Sequence, residues 1–182
     1  TLGLDDPIPV QFGRFVISMA HGNFGISYQI GRPVSELLVE RLPATLELSG
    51  IAALFALLVG IPMGVYTALY PTRWLSKIFL GISLIGISLP TFLIGILLIL
   101  LFGVTLGWLP TFGRGEVVAI GGWTTGLMST SGLKSLIMPA FTLGMFQLTL
   151  IMRLVRSEML EVLRTDYIKF ARARGLSNRV VH

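Results

Sequence analysis

Two almost uncharged stretches constrain this chain more than any other feature. Residues 78–104 carry no charged side chain, and residues 46–70 carry only Glu47. At about 1.5 Å per residue, a helix of either length crosses the roughly 30 Å hydrocarbon core of a bilayer. A third apolar run, 135–155, has Lys134 before it and Arg153 near its end. Within lipid each backbone N–H and C=O must be satisfied inside the segment, so such runs become helices. The expected fold class is therefore all-α, a polytopic membrane protein with spans at 46–70, 78–104 and 135–155. The 13% of charged residues agrees, being about half the share in soluble domains.

The breaks inside these runs are informative. Gly60 and Gly64 flank Pro62 at the spacing that lets another helix approach closely, and the proline permits a kink. Pro90 removes a backbone donor and disfavours helical Leu89, which predicts a kink or break. Ser88 and Thr91 are placed to satisfy the freed carbonyl. Gln147 and Thr149 are polar near the middle of the third run, where they meet either a neighbouring helix or a solute. Ser88, Pro90, Thr91 and Gln147 are thus the candidates for a helix kink or a pathway. Glu47 lies one residue inside the apparent edge of its span, so interfacial solvation is expected.

Several function classes are excluded. There is no cysteine, which removes disulfides, thiolate catalysis and cysteine metal sites. His21 and His182 stand far apart without metal-ligand neighbours, so no metal site and no cofactor are expected. The pI of 10.1 brings no nucleic-acid motif with it, and the cations cluster beside apolar runs. Residues 126–135 carry glycines, a lysine and serines, but lack the spacing and the preceding strand of a phosphate-binding loop. No nucleophile and base pair up inside the spans, which argues against an enzyme.

Outside the spans, Pro7, Pro9, the Gly22-Asn23-Phe24-Gly25 turn and Arg32-Pro33 break up residues 1–45 into an extramembranous segment. Residues 35–42 have the pattern of one amphipathic helix, lying on the membrane surface or acting as a solvated connector. Residues 107–133, with Trp108, Pro110, Gly121-Gly122 and Trp123, read as a loop with aromatic anchors. Lysine and arginine number three in residues 1–45, two in the link 71–77, two in 105–134 and seven in 153–182. The positive-inside rule puts the link and residues 156–182 in the cytoplasm and residues 1–45 outside.

Beyond the third span comes a short basic stretch, 165–177. Asp166 suits a helix N-terminus, the later cations suit its C-terminal half, and Gly175 suits a left-handed stop. A helix over 166–174 is only about 13 Å long and needs a surface to lie against. Tyr167, Phe170, Ala171 and Arg174 share one face at i, i+3, i+4 and i+7, while Lys169 and Arg172 point elsewhere. That face is read as a docking element. The alternative is a passive channel or membrane scaffold whose basic segment binds anionic lipid.

The distributed text resembles the membrane-spanning permease subunits of the dipeptide, oligopeptide and nickel ABC importers. It comprises Leu2-Gly3-Leu4-Asp5-Asp6-Pro7, Gly22-Asn23-Phe24-Gly25-Ile26-Ser27, Arg32-Pro33-Val34, Arg41-Leu42-Pro43-Ala44-Thr45-Leu46-Glu47-Leu48, Ser88-Leu89-Pro90-Thr91-Phe92, Gly107-Trp108-Leu109-Pro110 and the closing run from Met159 through Ala171-Arg172-Ala173-Arg174-Gly175-Leu176-Ser177. The resemblance implies a six-helix type I permease of which three transmembrane helices are present, an internal fragment lacking the first helix and the last two. It implies residence in a bacterial or archaeal cytoplasmic (inner) membrane. The implied partners are ABC ATPase subunits, a second permease subunit and an extracytoplasmic solute-binding protein. Residues 156–182 correspond to the cytoplasmic coupling loop, with Asp166, Tyr167, Phe170, Ala171, Arg172, Arg174 and Gly175 docking on the ATPase. Of the Glu-Ala-Ala, three residues, Gly pattern common in bacterial importers, only Ala171 and Gly175 match. Peptides, nickel complexes and related solutes all remain open as cargo.

Overall fold

The computed structural model describes residues 6–166 together with 168, 170 and 174. Five α-helices carry the fold: α1 (Ile8–Ala20), α2 (Val34–Leu69), α3 (Trp74–Ser88), α4 (Thr91–Leu98) and α5 (Thr130–Leu163). A π-helical segment, Ile99–Thr105, extends α4, and a small hairpin of β1 (Val118–Ile120) and β2 (Trp123–Thr125) precedes α5. α2 and α5 are each long and apolar enough to cross a membrane, and α3 with α4 adds a third span if the bent pair counts as one.

The helices outrun the apolar stretches that announce them. α2 begins twelve residues before position 46, and its 36 residues measure about 54 Å, well beyond a hydrocarbon core. Residues 35–42 are therefore its first turns rather than a separate helix. Arg32 supports them, its guanidinium meeting Glu36 at 3.5 Å and Glu40 at 3.0 Å. α5 likewise starts five residues before 135, because Ser129 caps it by accepting the Gly132 N–H at 2.9 Å. It then runs unbroken past 155 to Leu163. α1 forms even though Pro7 and Pro9 precede or enter it. Pro7 is the N-cap and Pro9 falls in the first turn, where no intrahelical N–H bond is lost.

The run 78–104 is broken at Pro90, where a kink or break is expected. Leu89 and Pro90 are both extended, with ψ of 132° and 137°, and the axes of α3 and the helix after it differ by 107°. The proline explains the extended Leu89, since its ring crowds a helical predecessor. Neither Ser88 nor Thr91 caps the break through its side chain. Instead the Pro90 carbonyl accepts the amides of Leu93 and Ile94 at 3.0 and 3.3 Å, so α4 starts afresh from the break.

The core is the crossing of α2 on α5. Ala52 and Ala56 are fully buried, and Met63, Leu148 and Met152 fill the seam. The Gly60 and Gly64 pair works as its spacing predicts. A Cβ on Gly60 would lie 3.1 Å from the Leu148 carbonyl oxygen, and one on Gly64 would lie 2.8 Å from both the Met152 oxygen and Val155 Cβ. Gly144 answers from α5, where a Cβ would lie 2.6 Å from the Phe55 ring. α3 joins through Gly86, seated on Thr149, whose hydroxyl donates to the Met145 carbonyl at 3.0 Å.

These contacts predict that Gly64→Ala costs about 1–3 kcal/mol through overpacking. Gly81→Ala, in α3 with open space around it, should be neutral or mildly stabilising. Thermal unfolding in detergent checks this, and equal midpoints for the two variants would refute it.

Candidate functional site

The loop between the π-helical segment and α5 builds the most developed polar arrangement among the described residues. The segment itself ends with Thr105 Oγ1 donating to the Leu100 carbonyl and the Leu106 amide reaching Leu101, both across five residues. The chain then folds back, with the Phe102 and Trp108 rings 6.1 Å apart. Ile120 pairs with Trp123 across Gly121-Gly122, and Gly121 adopts φ 61°, the left-handed value that a two-residue hairpin requires.

The hairpin and the residues flanking it bring donors to Glu47 on α2. Its carboxylate accepts Arg114 Nη2 and the Gly126 amide at 3.2 Å each and Trp123 Nε1 at 3.4 Å. Arg114 is itself fixed by Thr124, donating to its carbonyl at 2.9 Å and its hydroxyl at 3.2 Å. Glu47 is 8% exposed, so interfacial solvation is not its environment. It is a buried anion neutralised by Arg114 and satisfied by amide and indole donors, which is the condition for burying a charge at all. The same loop is sewn to α5. Ser129 Oγ donates to the Glu116 carbonyl at 2.5 Å, and Ser131 Oγ accepts the Glu116 amide at 2.9 Å.

Under this loop lies a cavity of about 510 Å³ between α4 and α5. Thr91, Phe92, Gly95 and Ile99 form one wall and Ser135, Met138, Pro139 and Thr142 the other, with Thr111 and Phe112 of the loop across the mouth. A smaller cavity of about 190 Å³ borders it and reaches Glu47 and Arg114. The surface is mainly apolar, with a few hydroxyls, and offers space for a small solute or a neighbouring side chain. Of the four kink or pathway candidates, Thr91 lines the larger cavity, Pro90 and Ser88 form the break beside it, and Gln147 stands apart, half-buried on α5.

The docking candidates lie beyond the far end of α5. Asp166 and Phe170 are exposed, and the Arg174 guanidinium sits 5.0 Å over the Phe170 ring while its amide reaches the Phe170 carbonyl at 3.1 Å. Phe170 and Arg174, two of the four residues expected to share a face, are in contact. Tyr167, Ala171, Arg172 and Gly175 lie outside the described residues. Ile168, which spacing did not single out, is 5% exposed.

Comparison with known proteins places these features in context. Residues 60–181 match the family described as binding-protein-dependent transport system inner membrane component. The chain is 42% identical over 193 aligned residues to the probable D,D-dipeptide transport system permease protein of Escherichia coli K12, covering 96% of this chain and 55% of that one. It is 35% identical to the dipeptide transport system permease protein of Alkalihalophilus pseudofirmus, covering 99% and 58%. It is 36% identical to the glutathione transport system permease protein of Salmonella paratyphi A, covering 97% and 52%. The chain thus spans rather more than half the length of these curated relatives.

The Glu47 cluster makes a specific prediction. Glu47→Ala strands the Gly126 amide and the Arg114 guanidinium, at a cost of about 1–3 kcal/mol. Hydrogen exchange at residues 125–127 should quicken while the α2–α5 seam keeps its protection. Unchanged exchange there would mean that the carboxylate does not hold the loop.

Proposed function

We propose, because this chain belongs to the family of binding-protein-dependent transport system inner membrane components, that it is part of a permease subunit of an ATP-driven ABC importer for peptides or related small solutes. Two such subunits form the pathway, each contributing half. An extracytoplasmic solute-binding protein delivers cargo, and separate ATPase subunits hydrolyse ATP, so this chain is a transport permease and not an enzyme. Residues 1–45 face outside, 46–155 form the membrane region and 156–182 form a cytoplasmic coupling loop. The names of the relatives, permeases for D,D-dipeptides, dipeptides and glutathione, favour peptidic cargo.

One observation carries the mechanical part of this reading. α5 runs for 34 residues, about 51 Å, from Thr130 to Leu163, so it includes the cavity wall at Ser135 and ends at the threshold of the docking stretch. An ATPase engaging Phe170 and its neighbours therefore acts just beyond the end of the helix whose first turns bound the cavity. A ligand shifts an equilibrium only through unequal contact with its two states, and the docking stretch is where ATP binding on a partner makes that difference. Asp166, Tyr167, Phe170, Ala171, Arg172, Arg174 and Gly175 form the proposed interface, with Tyr167 and Phe170 as anchors, Arg172 and Arg174 at the rim and Gly175 at the turn.

Replacing an aromatic anchor by an anion should cost at least about 2 kcal/mol of docking, some thirtyfold in affinity. Phe170→Asp and Gly175→Asp in the full-length subunit should each abolish co-purification of the ATPase and solute uptake, while the subunit still inserts in the membrane. Normal co-purification and uptake in both variants would overturn the docking assignment.

A further inference from the structure

A groove at the other end of the α3–α5 contact takes no part in the reading above. It is a cavity of about 460 Å³, bounded by Leu80, Ser83 and Leu84 of α3 and by Arg153, Arg156 and Leu160 of α5. The two helices run antiparallel, since Gly86 meets Met145 and Thr149 while Ser83 shares this groove with Arg153. The groove therefore opens toward the 71–77 link and its two cations. Arg153 is the first charged residue after 18 uncharged positions of α5, which sets the groove at the rim of the apolar zone.

Its chemistry is unbalanced. Among the described residues no ion pair involves Arg153 or Arg156, and no acidic side chain lines the groove. Arg156 is held in place by one bond, Nη1 donating to the Thr67 carbonyl at 3.2 Å near the C-terminal end of α2, so its fork is pre-set with donors to spare. Arg153 is exposed beside it at the i, i+3 spacing of one helix face. Ser83 is buried with its hydroxyl donating to Leu80 at 2.9 Å, and Leu84 is 65% exposed next to the cations. Two guanidiniums beside an exposed apolar wall match an anion that carries a hydrocarbon chain.

We propose that this groove binds an anionic phospholipid, the two arginines holding its phosphate and Leu80 and Leu84 lying along an acyl chain. The site is independent of the transport reading, because it needs only a membrane rim and not an ATPase. The test is native mass spectrometry of the full-length subunit, released from detergent and titrated with phosphatidylglycerol or phosphatidylcholine. The wild type should retain phosphatidylglycerol in preference. Arg153→Gln should weaken that retention about fivefold, the worth of one cation near a membrane surface, and Lys134→Gln at the opposite end of α5 should not. Equal retention of the two lipids by the wild type, which needs no variant to fold, would overturn the proposal. So would unchanged retention in Arg153→Gln, displacement of the lipid by equimolar inorganic phosphate, or the absence of any phosphatidylglycerol adduct.

Discussion

The close approach of α2 and α5 is the contact on which the other elements depend. Lipid tails are as apolar as leucine, so helices in a bilayer gain little from hiding apolar surface and associate through tight packing instead. Gly60, Gly64 and Gly144 remove the side chains that would hold the backbones apart, and Met63 and Met152 fill the uneven space that remains. Polar groups in this region are satisfied locally. Thr67 and Thr149 donate to carbonyls of their own helices at 2.9 and 3.0 Å. The seam therefore selects partners by shape, and α3 rests on α5 through Gly86 and packs Phe79 and Leu80 against the core.

Features that depend on neighbouring residues were legible before any coordinates. The glycine pair four apart and the non-helical residue before Pro90 are local consequences of side-chain size and ring geometry, and both stand where spacing put them. The size of the bend was not legible. A proline favours an extended Leu89, but an axis change of 107° also needs an extended Pro90 and somewhere for α4 to pack. Helix ends were misplaced for a related reason. Hydropathy marks the edge of the apolar zone, whereas a helix ends where its caps are. The Arg32 bridges and the Ser129 cap lie in polar sequence that hydropathy passes over.

The polar site was half legible. An intramembrane carboxylate at position 47 attracts notice by itself, yet its solvation cannot be judged without the partner, and Arg114 comes 67 residues later in a loop with no distinguishing motif. The hairpin that presents Arg114 did leave a trace, because Gly121-Gly122 between β-prone residues is a two-residue turn signal. Trp123 looked like an interfacial anchor, and the structure uses its indole N–H on Glu47 instead. At the other end, the stacking of Arg174 on Phe170 follows from i, i+4 spacing, while the burial of Ile168 depends on contacts that spacing cannot supply.

α5 ties these features into one mechanical element. Near its start it bounds the cavity with Ser135, Met138 and Thr142, in its middle it bears the glycine contacts of α2, and near its end it carries the arginines of the rim groove. Its internal Pro139 omits one hydrogen bond close to the cavity, whereas no proline or glycine interrupts the stretch from Met145 to Leu163. That stretch is the stiff part, and it contains the α2 seam. Movement imposed beyond Leu163 is therefore carried rigidly as far as the seam. Toward the cavity, such a movement would meet the tight Gly60 and Gly64 contacts of α2 and then Pro139, where one helical hydrogen bond is missing.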